Sequence, residues 1–287
     1  MKQTYLKLYW PSRRFLLGVL RSLNWFLPGF SRFRGRRLQR RNLNELKDAL
    51  IEVPLIRAGS KYDGGYLIPH FARGEIDALF SPGVAANASF ELHFAEQGVK
   101  CHLVDGSISR SPEVHENIFF EKAWLSANNI DSQKHLTLVE WIHSSGYSES
   151  RSLGLQMDIE GSEWGIFQST DSEVLEQFKF ITVEFHWLQA SSKYESAMIV
   201  EDCIRKLLKT HSPVWIHPNN GDFAIPLWGS VRYPPLLETT FLRNDLLTRK
   251  GQESDDVKDF RSVGQVNNDQ RFVSLRGVSW LQKDSKR

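Results

Sequence analysis

From about residue 42 onward, short apolar runs alternate with stretches of helical periodicity, and that order leaves few architectures open. Residues 76–84, IDALFSPGV, read as a buried strand breaking into a Pro-Gly turn, and residues 88–97, ASFELHFAEQ, as a helix ended by Gly98. Residues 99–104, VKCHLV, form a second apolar run that stops at Asp105; residues 119–125, FFEKAWL, make a weaker third, followed by a helical 137–143. Residues 153–157, LGLQM, run into Asp158, a helix follows near 162–178, and residues 180–185, FITVEF, end at His186. A long helix over about 192–210, a strand at 213–217 and a last apolar run at 235–242 complete the pattern. Strands alternating with helices predict a mostly parallel, doubly wound α/β sheet whose ligands sit beyond the carboxyl ends of the strands. The polar stretch 249–259 reads as a surface loop before a terminal strand or flap at 271–281, and no internal repeat is present.

A chain of 287 residues suits one large α/β domain, and 41% hydrophobic residues with nine Trp and eighteen Phe exclude disorder or a fibre as its main state. Two cysteines, Cys101 and Cys203, are too few for a disulfide framework and lack zinc-ligand spacing, so a reducing, cytoplasmic compartment is expected.

The net charge of +2 hides an asymmetry: residues 1–41 hold eleven Lys or Arg and no acid, which leaves −9 for residues 42–287. Leu16, Val19, Leu20, Leu23, Phe26, Leu27 and Phe30 recur at helical spacing, with Arg14, Gly18 and Arg21 on the other side. That pattern suits a basic amphipathic segment lying on a membrane surface, since Arg21 and Pro28 leave too short an apolar run to span. A mitochondrial presequence and a solvated arm pairing with the acidic body are the alternatives. Residues 1–41 are thus read as a surface or targeting segment and residues 42–287 as the catalytic domain. A body at −9 repels a polyanion, so no nucleic-acid partner is expected.

Four constellations carry chemistry. The turn Ser81-Pro82-Gly83-Val84-Ala85-Ala86-Asn87 has one glycine and no GxGxxG, which disfavours a pyrophosphate site. Asp105, about twenty residues on at the end of the second strand, can accept both hydroxyls of a ribose, or else caps the next turn. Ribose without pyrophosphate suggests S-adenosylmethionine. Asp158 and Glu160 end the fourth strand, with Gly161 supplying a turn; Glu160 is alternatively structural. Glu184 and His186, two apart, point to one face if the fifth strand continues that far, and His217-Pro218-Asn219-Asn220-Gly221-Asp222 follows the sixth.

The string Lys61-Tyr62-Asp63-Gly64-Gly65-Tyr66, the turn from Phe80 to Glu91, Leu103-Val104-Asp105, Gln156-Met157-Asp158-Ile159-Glu160-Gly161-Ser162-Glu163-Trp164 and Val183-Glu184-Phe185-His186 resemble the FkbM-type family of S-adenosylmethionine-dependent methyltransferases over about residues 50–242. The resemblance implies a Rossmann-like class I methyltransferase fold with a seven-stranded sheet, and O-methylation of glycans or glycosylated metabolites. It places Gly83, Asn87, Ser89 and Phe90 along the methionine end of the cofactor and Asp105 at the ribose, and Ser81 and Asp158 are further candidate cofactor contacts. Tyr62 and Asp63, ahead of the first strand, are candidates to cap the cofactor; the alternative is an isolated Gly64-Gly65 turn between tyrosines. Ala85 and Ala86 stand where the family is often richer in glycine.

A sugar hydroxyl needs a base or a metal to lose its proton near pH 7. His186 is the first choice of base, with Glu184 or Asp158 orienting it. The rival is Mg2+ on Asp158, Glu184 and Asn219. With the N-terminal segment, these readings predict a glycan-modifying enzyme peripherally attached to a membrane, with a carbohydrate or glycolipid acceptor. A degenerate, non-catalytic methyltransferase fold and a nucleotide-sugar enzyme are the competing classes.

Overall fold

Apart from 119–125, each apolar run found in the sequence becomes one strand, because a run apolar on both faces is stable only where helices cover the sheet on both sides. The structure is a computed structural model and describes residues 28–61, 64–70, 75–128, 134–188, 193–218, 227–228, 231–232 and 235–247. The chain opens with α1 (Pro28–Asp48), β1 (Leu55–Gly59), β2 (Gly65–Pro69), β3 (Ala78–Pro82), α2 (Ser89–Ala95), β4 (Lys100–Val104) and β5 (Ile118–Glu121). It continues through β6 (Trp124–Leu125), β7 (His135–Leu136), α3 (Leu138–Ser144), β8 (Leu153–Met157), α4 (Glu163–Ser169), α5 (Ser172–Leu175) and β9 (Phe178–Phe185). Then come α6 (Tyr194–Thr210), β10 (His211–Pro218), β11 (Leu227–Trp228), β12 (Val231–Arg232) and β13 (Leu237–Arg243).

Seven strands form one sheet in the order β10-β13-β9-β8-β3-β4-β5. The block β5-β4-β3-β8-β9 is parallel, and β13 runs antiparallel to both its neighbours. The parallel block has the Rossmann-like order 3-2-1-4-5, so the topology switches between β3 and β8. The turns leaving those two strands, at Gly83 and Asp158, therefore face each other at the crevice where this fold binds ligands.

Alternate residues supply two cores. Phe80, Leu155, Phe178, Ile181 and Phe185 pack with Leu43, Trp141, Phe167 and Leu207 on one face. Leu79, Cys101, Leu103 and Phe180 pack with Ile68, Phe90 and Phe94 on the other. Both cysteines are buried free thiols. Thr137 and Glu140 form a reciprocal capping box that starts α3 where the helical pattern begins.

Four local features differ from the sequence reading. The helix expected over 162–178 is two helices, because Thr170 is extended (ψ 132°) within a Ser-Thr-Asp-Ser run whose side chains compete for the backbone. The run 119–125 divides into β5 and β6. A hairpin, β1–β2, precedes the first sheet strand, and Thr240 Oγ1 on β13 donates to its Leu67 carbonyl at 2.7 Å. Helix α1 runs through the boundary set between residues 41 and 42. Its Leu38, Gln39, Asn42, Leu43 and Leu46 are buried, Asn42 Nδ2 donates to the Ala197 carbonyl on α6 at 2.8 Å, and Arg41 pairs with Glu201. The end of the basic stretch is thus part of the folded body. Residues 1–27, the polar stretch 249–259 and the expected element at 271–281 lie outside the described residues. No helix among the described residues is long and apolar enough to cross a membrane.

His211, fully buried at the start of β10, makes the fold acid-sensitive. One ring nitrogen contacts the Phe178 carbonyl at 2.9 Å and the other the Thr210 hydroxyl at 2.8 Å, which together suit a neutral ring. Burial carries its pKa down to about 4. Unfolded chains take up this proton below about 6.5 and the native state only near 4. Stability is therefore expected to fall as pH drops through this window, by about 1.4 kcal/mol per pH unit for this group. Urea midpoints measured from pH 7 to 4 should show a shallower loss in His211→Gln; parallel curves would refute the assignment.

Candidate functional site

The carboxyl ends of β3, β4, β8 and β9 gather most of the residues singled out in the sequence. Three non-glycine residues there take positive φ: Ala85 (43°), Glu160 (55°) and Trp187 (60°). Left-handed backbone costs an L-residue about 1–2 kcal/mol, so its concentration at one rim marks a shape the surrounding structure enforces. Gly83 (φ 85°) donates its N–H to the Val104 carbonyl at 2.9 Å, and a Cβ at this position would overlap the carbonyl oxygen of Asp158. The two switch-point turns are thus in backbone contact. Ala85 and Ala86 lie exposed beyond Gly83 and present nothing longer than a methyl group.

Asp105 is buried at the end of β4. Its Oδ2 accepts the Ala85 N–H at 2.8 Å, and its Oδ1 accepts the Ser107 N–H at 2.7 Å and the Ser107 hydroxyl at 2.5 Å. The turn-capping role weighed from sequence is therefore present in the fold. Beside it the half-exposed Trp124 indole covers Gly106, where any Cβ would meet the ring. Trp124 was not singled out in the sequence, because nothing local to β6 indicates that it reaches β4.

The densest chemistry lies around His186. The ring is almost buried, and its Nδ1 is 2.9 Å from Glu163 Oε1 and 3.1 Å from the Glu184 carbonyl. Both neighbours are acceptors, so Nδ1 carries hydrogen. Nε2 faces Glu160 Oε2 at 3.5 Å, Asp158 Oδ1 at 3.7 Å and Glu184 Oε1 at 3.7 Å. Strand β9 ends at Phe185, one residue short of the extension the spacing argument needed, yet the Glu184 and His186 side chains still meet. Burial pulls the imidazole pKa down, but the bond to Glu163 and the charges of Glu163, Asp158 and Glu184 outweigh it and carry it up to about 9. The upward direction favours the doubly protonated ring over the neutral imidazole that a general base requires. The Tyr66 hydroxyl donates to Asp158 Oδ2 at 3.4 Å, and burial, with Asp158, Glu184 and Glu238 nearby, holds its pKa well above the ordinary value.

Glu163 is the functional residue that the sequence reading passed over. It is fully buried, and its Oε1 also accepts the Ile159 and Gly161 N–H groups, each at 3.1 Å. One carboxylate therefore folds the Glu160-Gly161 turn and orients the imidazole. Its place in the sequence carried no signal, because an acid in the first turn of a helix is commonplace and its burial against His186 is a long-range contact. Glu160 holds the turn through its backbone, its carbonyl accepting from Trp187 Nε1 at 3.0 Å, while its carboxylate is exposed. Trp187, itself 56% exposed, forms a wall of the rim.

Two residues expected along a cofactor lie elsewhere. Ser81 is fully buried beneath the turn, with its hydroxyl 2.6 Å from Gln156 Oε1 and bonded to Glu91, whose carboxyl burial pushes up to about 7. Phe90 is a core residue stacked edge-on to Tyr66 at 5.4 Å, because the apolar face of α2 turns it inward. Ser89 joins hairpin to helix, donating to the Gly64 carbonyl at 3.0 Å and accepting the Ser60 N–H at 3.1 Å; Asn87 Oδ1 accepts the Ser89 N–H at 3.1 Å. Tyr62, Asp63, Asn219, Asn220 and Asp222 lie outside the described residues. His217 is buried and stacked on Trp215, and burial takes its pKa down to about 4.

Comparison of the chain with protein-family models, with curated proteins and with solved structures gives no match.

Proposed function

We propose that this chain is an S-adenosylmethionine-dependent O-methyltransferase acting on a hydroxyl of a glycan or glycosylated, lipid-linked acceptor. The observation that carries the reading is the meeting, at the switch point of a Rossmann-like sheet, of an exposed small-residue turn with a carboxylate–imidazole cluster. The residues fit the cofactor: Gly83, Ala85 and Ala86 allow close approach to backbone, Asp105 stands at the end of β4 for a ribose, and Trp124 offers a ring face beside it. When bound, the cofactor supplies a methyl group already activated on a sulfonium.

The chain's own work is then positioning and proton removal. A ribose hydroxyl would compete with Ser107 for Asp105. An acceptor hydroxyl lodged at the Asp158–Glu184–His186 cluster meets carboxylate oxygens able to take its proton while the imidazole supports the developing negative charge. The exposed Trp187 indole gives an acceptor ring an apolar face to lie on. In this reading the basic N-terminal stretch holds the enzyme to an anionic membrane surface on the cytoplasmic side. Deleting residues 1–27, which leaves α1 whole, is expected to release it from the membrane fraction; unchanged fractionation removes that part of the proposal.

The decisive experiment is isothermal titration with S-adenosylhomocysteine. Wild type is expected to bind, and Asp105→Asn to bind at least about tenfold more weakly with an unchanged circular dichroism spectrum, the scale of a charged hydrogen bond. No heat and no competition by S-adenosylmethionine, in a folded chain, would favour the non-catalytic reading.

A further inference from the structure

We infer that Asp158, Glu184 and His186 form a binding site for a divalent ion of the zinc or cobalt type. The inference deepens the proposed function by naming what activates the acceptor hydroxyl, but ion binding can be tested without it. The three side chains each offer one ligand atom, and these atoms lie within 4.8 Å of one another.

Two observations point to an ion. The first is the direction of the ring. Glu163 and the Glu184 carbonyl fix the hydrogen on Nδ1, so the other face of the ring, Nε2, looks into carboxylate oxygens. Acceptor facing acceptor requires something positive between them, a proton or a metal. The second is spacing. Nε2 is 3.7 Å from both Asp158 Oδ1 and Glu184 Oε1, beyond hydrogen-bond length. Ligands about 2.1 Å from a tetrahedral ion are about 3.4 Å apart, so a closure of about 0.3 Å brings these atoms to coordinating separation, and Glu160 Oε2 is a further oxygen 3.5 Å from Nε2.

The surroundings match the chemistry of such sites. A buried carboxylate on the far nitrogen of a histidine ligand fixes its tautomer and raises its basicity, and Glu163, fully buried, has that position. An imidazole among the ligands favours zinc-type ions over Mg2+, which prefers an all-oxygen shell. Three protein ligands leave the fourth position open for an acceptor hydroxyl, whose proton an ion makes easier to remove. His186 then acts as a ligand and Glu163 as a positioning residue.

The test uses the full chain stripped with a chelator and titrated with Co2+ and Zn2+, then Mg2+, with no cofactor present. One equivalent of Co2+ should bind with the intense visible absorption of a tetrahedral site, and Mg2+ should bind more weakly. His186→Ala and Glu184→Gln should each lower Co2+ affinity at least about 100-fold, and Glu163→Gln by about 10- to 100-fold, all with wild-type circular dichroism. Absence of Co2+ binding by the folded wild type at millimolar concentration, or binding indifferent to His186→Ala and Glu184→Gln, overturns the site. Co2+ binding without S-adenosylhomocysteine binding would keep the site and defeat the methyltransferase reading; the reverse result would do the opposite.

Discussion

Glu163→Leu is expected to lose about 3–5 kcal/mol of stability, a third or more of what a domain of this kind commonly has. Leucine nearly matches the volume but removes the acceptor shared by Ile159 N, Gly161 N and His186 Nδ1. Each buried donor left unpaired costs about 1–3 kcal/mol. Glu163→Gln keeps a carbonyl oxygen for the two backbone groups and should lose much less. Urea denaturation of both variants checks this, and a leucine variant as stable as the glutamine one would show that Glu163 does not hold the turn.

Gly83→Val is expected to lower stability by about 3 kcal/mol or more and to abolish the S-adenosylhomocysteine binding proposed above. Its φ of 85° is costly for a β-branched residue, and the new Cβ would displace the Asp158 carbonyl, which is backbone and cannot swing aside. Moving Asp158 also opens the cluster around His186. For a chain of this size the loss corresponds to a fall in Tm of roughly 6–12 °C. Melting within a degree or two of wild type, with S-adenosylhomocysteine still bound, would mean that the turns at Gly83 and Asp158 are not locked together.

The contrast between these positions shows what local sequence can signal. Gly83 announces itself, because a Pro-Gly pair after an apolar run has few other uses. Glu163 looks like any acidic residue in a helix's first turn, and only its burial against His186, 23 residues away, reveals its task. Ser81 and Phe90 stand close to the expected cofactor turn in sequence, yet pleat and helix phase send both side chains inward. The β1–β2 hairpin escaped notice because Gly64 and Gly65 read as an isolated turn, whereas its role in the site comes from Tyr66 meeting Asp158 across 92 residues.

By itself the sequence determined the alternation of strands and helices, the doubly wound class and the strand ends that carry Asp105, Asp158, Glu184 and His186. Those features follow from hydrophobic period and turn chemistry, which act within a few residues. Tertiary structure alone decided the reversed insertion of β13, the docking of α1 across the expected domain boundary and the geometry around Nε2 of His186. Apart from that of Glu184 with His186, these depend on contacts between residues tens to more than a hundred positions apart, where burial and distance, not residue type, set how an imidazole and its carboxylates act.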